Sequence, residues 1–181
     1  MNFLELAELR QSDRKYSNKP VEKEKLLRCL EAARLAPSAS NSQPWTFVVA
    51  TDPELVKKLG KAAKGPLGSF NNFASSAPVI IAIVLEKPKV ITQFGMKVKE
   101  KEWPLIDIGI TAEHFCLQAA EEGLGTCMLG WFDEEKTKTL LNIPAEKVVP
   151  LLITVGYPPE GYKHRKKIRK SPEKIIRWNS Y

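Results

Sequence analysis

A chain of 181 residues, 43% apolar and 27% charged, has the make-up of one domain with a sizeable core. It has no apolar run of the roughly 20 residues that a membrane-spanning helix needs. The net charge of +7 lies partly in "KVKEKE", which carries its own acids, and mostly in "KHRKKIRK" (163–170), without interleaved aromatics or a recognised nucleic-acid motif, so a nucleic-acid partner is not expected. Three separated cysteines (Cys29, Cys116, Cys127) with only His114 and His164 beside them form no CxxC or zinc pattern and suit a reducing cytoplasm.

"FLELAELRQ" reads as an amphipathic helix with acids in it, which is not a signal peptide. From Val21 to Ala36, Leu26, Leu27, Leu30 and Ala33 recur at helical spacing until Pro37 stops the helix. "PSASNSQPW" (37–45) is a compact polar loop before the strand "WTFVVATD", and Asp52-Pro53 then opens a helix over "PELVKKLGKAAK". "GPLGSFNNFASSAP" is loop or broken helix. "PVIIAIVLE" is a near-continuous β-branched run, as expected of a central strand buried on both faces. "KPKVITQFGMKVKEKEWP" holds Phe94, Met96 and Trp103, which form either a small lid or ordinary packing. The longest helix, "WPLIDIGITAEHFCLQAAEEGL", is apolar round most of its circumference, as in a protein interior or a subunit interface. "GTCMLGWF" is a strand, Asp133 caps "EEKTKTLLNI", "KVVPLLITVGYP" is the last long strand, and Ser171-Pro172 starts a short helix in a C-terminal arm (about 163–181). The fold class is α+β, a single domain over 1–181 with helices encasing a small sheet.

Three stretches carry possible chemistry. If the first helix runs on through "RQSDR", Arg10 and Arg14 stand at i and i+4 beside Ser12, a phosphate cradle or simply two surface arginines. "PSASNSQPW" offers hydroxyls and amides to a planar ligand, or caps itself. "GLGTCMLGWF" brings backbone close to something flat at Gly130, or is a helix end followed by a bulged strand.

Together, in this order and spacing, these stretches resemble the FMN-dependent nitroreductase family. The resemblance rests on Arg10-Gln11-Ser12-Asp13-Arg14, Ala36 to Trp45, Asp107-Ile108-Gly109, "GLGTCMLGWF", Val155 to Pro158 and Arg169 to Trp178, and so covers nearly the whole chain. It implies a mostly antiparallel central sheet surrounded by helices, in an intertwined homodimer that exchanges C-terminal arms. It also implies tightly bound FMN, with NADH or NADPH as donor. Arg10, Gln11 and Ser12 match cofactor contacts, Arg10 near the phosphate, although Asp13 sets an acid in the same stretch. Arg14 matches a cation near N1 and the C2 carbonyl, where charge gathers on reduction. Pro37, Ser38, Ala39 and Asn41 match the loop reaching in from the partner subunit. Asn71 or Asn72 matches a contact to the pyrimidine edge, Leu129 and Gly130 the segment near N5, and Lys167 and Arg169 phosphate ligands on the arm.

No catalytic side chain and no metal belong to this set, as suits hydride transfer that depends on ring positioning. The implied reaction is ping-pong reduction of nitroaromatic or quinone-like acceptors by NAD(P)H in the cytoplasm. The alternatives are a flavin carrier or sensor without NAD(P)H turnover, and a specialised relative such as a reductive dehalogenase.

Overall fold

The computed structural model describes residues 1–65 and 70–181. Part of the "GPLGSFNNFASSAP" expectation, residues 66–69, lies outside them. Asn2 caps α1 (Phe3–Leu9), its side chain accepting from the Glu5 amide while Glu5 reaches back to the Asn2 backbone. Helix α2 (Lys23–Arg34) follows, then strand β1 (Trp45–Ala50) and α3 (Pro53–Ala62). Asp52 caps α3 by accepting from Leu55 N at 2.8 Å, with Pro53 in the first turn, as expected. Next come β2 (Val79–Leu85), α4 (Val90–Lys99), α5 (Trp103–Glu121), β3 (Gly125–Leu129), α6 (Glu134–Leu141), β4 (Val148–Gly156) and α7 (Pro172–Ile175). Asp133 caps α6 through Lys136 N at 3.0 Å.

The four strands form one antiparallel sheet in the order β1-β2-β4-β3. Strand β2 is interior, and its all-apolar run splits by parity. Ile81 and Ile83 enter a core with Leu26 and Cys29 of α2 and Ile108 and Phe115 of α5. Ile80, Ala82 and Val84 enter a second core with Val56 and Leu59 of α3. Ile80, Ile81 and Ile83 are each 0% exposed, so each contributes about 2–3 kcal/mol of apolar burial. Among the described residues no helix is long and apolar enough to cross a membrane.

Two local readings change: one stretch without an assigned element gains one, and one expectation is corrected. The stretch around "KVITQFGMKVK" is a regular helix, α4, with Phe94 exposed on it. Its Gly95 is bare because a Cβ there would stand 2.5 Å from the Trp103 ring, so Trp103 packs against α4. The correction concerns the first helix, which ends at Leu9 and does not carry Arg14 on a further turn. Arg10 leaves the helix at φ −58°, ψ 123°. The chain then lies along the outer edge of β3, Ser12 pairing in parallel with Thr126 and Asp13 N donating to Thr126 O at 2.7 Å. This covers a sheet edge that would otherwise expose unpaired backbone groups.

Candidate functional site

Extended backbone alternates its side chains, so Arg10, Ser12 and Arg14 share one side and Gln11 and Asp13 the other. The arginines therefore do come together with Ser12, by a period of two instead of a helical turn. Over four extended residues Arg10 and Arg14 stand about 13 Å apart along the chain. Gln11 and Asp13 are buried beneath, 8% and 4% exposed. The Gln11 side chain, expected among the ligand contacts, is occupied inward: Nε2 donates to Asp13 Oδ1 at 2.8 Å, and Oε1 accepts from Arg165 N at 3.2 Å. The Asp13 carboxyl, rather than sitting in the cradle, lies against Gly125, where a Cβ would come within 2.7 Å of Oδ2. Burial raises its pKa, while Gln11, His164, Tyr162 and Arg165 pull it back down.

The start of the arm folds onto this segment. Lys167 Nζ donates to the carbonyls of Ala7 and Arg10 at the end of α1, and the Arg165 guanidinium donates to Ser12 O. Arg10, Ser12, Arg14, Lys167 and Arg169 thereby line one groove of about 370 Å³. Burial lowers the Lys167 pKa, and the charges of Arg10 and Arg169 lower it further. These cations repel one another. Glu113 of α5 offsets one of them, its Oε1 lying 3.0 Å from Arg10 Nε. The contact is off the N–H axis, however, so this buried Nε has no hydrogen-bond partner. Glu113 carries no local signal in the sequence that could have marked it.

The close of β3 lies outside the residues that line this groove. Leu129 is buried and Gly130 exposed, with open space where a Cβ would stand. Arg14 lies over the Phe73 ring, 5.9 Å from its centroid. Of the two asparagines weighed, Asn71 adopts the left-handed conformation (φ 52°) and donates to Trp131 O at 2.8 Å and Ala63 O at 3.2 Å. It ties the residue after Gly130 to the end of α3. The exposed Trp131 ring meets Phe70 edge-on at 5.9 Å, and sequence reasoning passed over both.

The Pro37–Trp45 loop sits elsewhere. Pro37, Ser38 and Ala39 line a separate cavity with Trp103, Ile106, Asp107 and Ile110 at the start of α5. Asp107 lies six residues before Glu113, about 9 Å along the helix axis. Ala39 N donates to both Asp107 oxygens, at 3.1 and 3.2 Å. Ser38 Oγ accepts from Gln43 N and Asn41 Oδ1 from Gln43 Nε2, each at 2.9 Å. The loop thus caps itself, yet Ser40, Asn41 and Gln43 all hold positive φ (53°, 50° and 48°), the kind of strain that gathers at functional loops. Within one chain, Arg10, Gln11, Ser12, Arg14, Lys167 and Arg169 line one cavity and Pro37, Ser38 and Ala39 another, while Asn41, Asn71, Leu129 and Gly130 line neither.

The chain matches the sequence profile of the Nitroreductase family over residues 7–157. It is 29% identical over 197 residues to the NADH dehydrogenase of Thermus thermophilus, covering 93% of this chain and 92% of that one. The fold matches the solved structure of an FMN-dependent nitroreductase from Clostridium difficile R20291 with a TM-score of 0.76, at 29% identity and over 99% of this chain and 100% of that one. Iodotyrosine deiodinase 1 of Rattus norvegicus is 27% identical over 183 residues, 88% of this chain and 63% of the deiodinase. With the profile spanning most of its length and the same α+β fold, this chain belongs to the nitroreductase family.

Proposed function

We propose that the protein is an NAD(P)H-dependent oxidoreductase that binds FMN and reduces nitroaromatic or quinone-like acceptors as a homodimer. One observation carries this reading most directly: the groove where Arg10, Lys167 and Arg169 crowd together, with a buried Arg10 Nε lacking a hydrogen-bond partner. Crowded cations lining one groove fit a dianionic phosphate, and each charge-assisted hydrogen bond contributes about 1.5–3 kcal/mol. Arg14 lines the same groove and would meet the carbonyl edge of a planar ring there, and Gly130, outside the groove's lining, offers bare backbone to such a ring.

On this reading Arg10, Lys167 and Arg169 hold the phosphate, with Ser12 Oγ as a further donor. Arg14 stabilises negative charge at the pyrimidine end, and Gly130 lets the backbone approach the ring closely. FMN, held there, would supply hydride and electron transfer between the nicotinamide donor and the acceptor. The protein orients both ligands and needs no acid–base side chain of its own. Pro37, Ser38, Ala39 and Asn41, remote from Arg10 in their own chain, serve the site of the other subunit. A two-fold dimer completes both sites at once. The arm supports this pairing: Ile175 and Trp178 are 65% and 83% exposed, apolar surface with nothing over it in one chain.

The test is the visible spectrum of the purified protein before and after anaerobic NADH or NADPH. Loss of a flavin band with either nucleotide is the expected result. A band that persists would leave a carrier or sensor, and a protein that takes up no FMN would refute the reading altogether. Similarity to the deiodinase keeps reductive dehalogenation as a second reading, which turnover of a halogenated tyrosine would establish.

A further inference from the structure

We infer that Gln11 and Asp13 are positioning residues, a buried clamp on the root of the C-terminal arm that sets Lys167 and Arg169 beside Arg10. The inference rests on the phosphate role given to that groove above. Beside this clamp the arm is held there by polar contacts to backbone carbonyls. Ile168 is 89% exposed, and the contacts near it are polar ones: Gln11 Oε1 to Arg165 N, Arg165 to Ser12 O, and Lys167 to the carbonyls of Ala7 and Arg10.

Gln11 is fixed in turn by Asp13 at 2.8 Å, and Asp13 faces Tyr162, His164 and Arg165 on the incoming chain. Room for Asp13 exists only because residue 125 is glycine. Arg10, Ser12 and Arg14 thus face the ligand groove, whereas Gln11, which also lines it, turns its amide to Asp13 and to the arm, and Asp13 faces the arm from beneath. Without the clamp, the repulsion among Arg10, Lys167 and Arg169 would be opposed by the bonds of Arg165 and Lys167 to backbone carbonyls and no longer by a buried pair.

The discriminating probe is the pair FMN and riboflavin, which share the ring and differ in the phosphate. Titrated into the full-length protein stripped of flavin, FMN should bind more tightly than riboflavin. Gln11→Met keeps the volume and removes both amide bonds. It should weaken FMN about tenfold, the equivalent of one buried hydrogen bond, and leave riboflavin within about twofold. Asp13→Ala should act likewise, whereas Asp13→Asn, which keeps an oxygen for Gln11 Nε2, should stay within about threefold of the parent. Retained riboflavin binding certifies that each variant is folded. The clamp is refuted if Gln11→Met binds FMN as the parent does, or loses FMN and riboflavin in equal measure. A parent protein that does not distinguish FMN from riboflavin refutes the phosphate reading itself, and the clamp with it.

Discussion

Replacing Asp107 by alanine should unfasten the Pro37–Ser42 loop. The single amide of Ala39 is shared between two carboxylate oxygens at 3.1 and 3.2 Å, and Asp107 is 4% exposed. A hydrogen bond to a charged group contributes about 1.5–3 kcal/mol. Burial raises the Asp107 pKa and the Ala39 amide lowers it, so part of that gain only offsets the cost of burying the charge. The net loss in Asp107→Ala should be about 1–2 kcal/mol, which for a chain of this size lowers Tm by roughly 2–8 °C. Left-handed Ser40 and Gln43 then lose an anchor that holds them in a costly conformation. Asp107→Asn keeps an acceptor and removes the buried charge, so it should lie within about 1 kcal/mol of the parent. Thermal unfolding gives the stability, and amide hydrogen exchange at Ala39 reports on the loop. An asparagine variant as unstable as the alanine one, or an Ala39 amide no less protected in Asp107→Ala, would refute the reasoning.

Gly125→Ala should cost about 1–3 kcal/mol by driving a Cβ onto the Asp13 side chain. In an Asp13→Ala background the cost should shrink by about half, measured as a thermal double-mutant cycle, and strict additivity would contradict the contact. The raised pKa of Asp13 makes a signed prediction. Below the usual value of 3.8 both folded and unfolded states are protonated, and stability falls as pH rises through the higher folded value. Asp13→Asn should therefore gain on the parent between about pH 4 and neutrality in paired urea titrations, and a gap that narrows over that range would contradict the sign. Deleting residues 165–181 should cost both FMN affinity and dimer stability, whereas deleting 171–181 should spare Lys167 and Arg169 and weaken only the dimer. Light scattering and FMN titration separate the two, and a protein shortened at 165 that stays yellow and dimeric would refute both roles.

Much of this fold is legible because the signals are local. Asp52-Pro53 and Asp133 are caps whose side chains bond within one turn, and the all-apolar run of β2 can be satisfied only between two cores. Helix α4 is harder to see, because it has no side-chain cap at Lys89 and carries Gly95 in its interior. The glycine weakens the local signal for the sake of the Trp103 ring next to it, a tertiary demand.

The Arg10–Arg14 segment shows the same conflict at the site itself. Read locally, its spacing permits another helical turn, and that reading also brings two arginines together. What ends the helix at Leu9 comes from far along the chain: Thr126 offers a strand edge, and Lys167 takes the carbonyls of Ala7 and Arg10. Both geometries put Arg10 and Arg14 on one side, a turn apart on a helix and about 13 Å apart on the extended edge, so the residue identities alone do not choose between them. They differ in the fate of Gln11 and Asp13. A helix would spread these two around its circumference, one of them carrying an uncompensated charge beside the arginines. The extended edge buries both side chains and turns their polar atoms to one another and to the arm. An acid that counts against a phosphate site on a helix thus becomes, on a strand edge and under the proposed reading, part of what holds Lys167 and Arg169 beside Arg10.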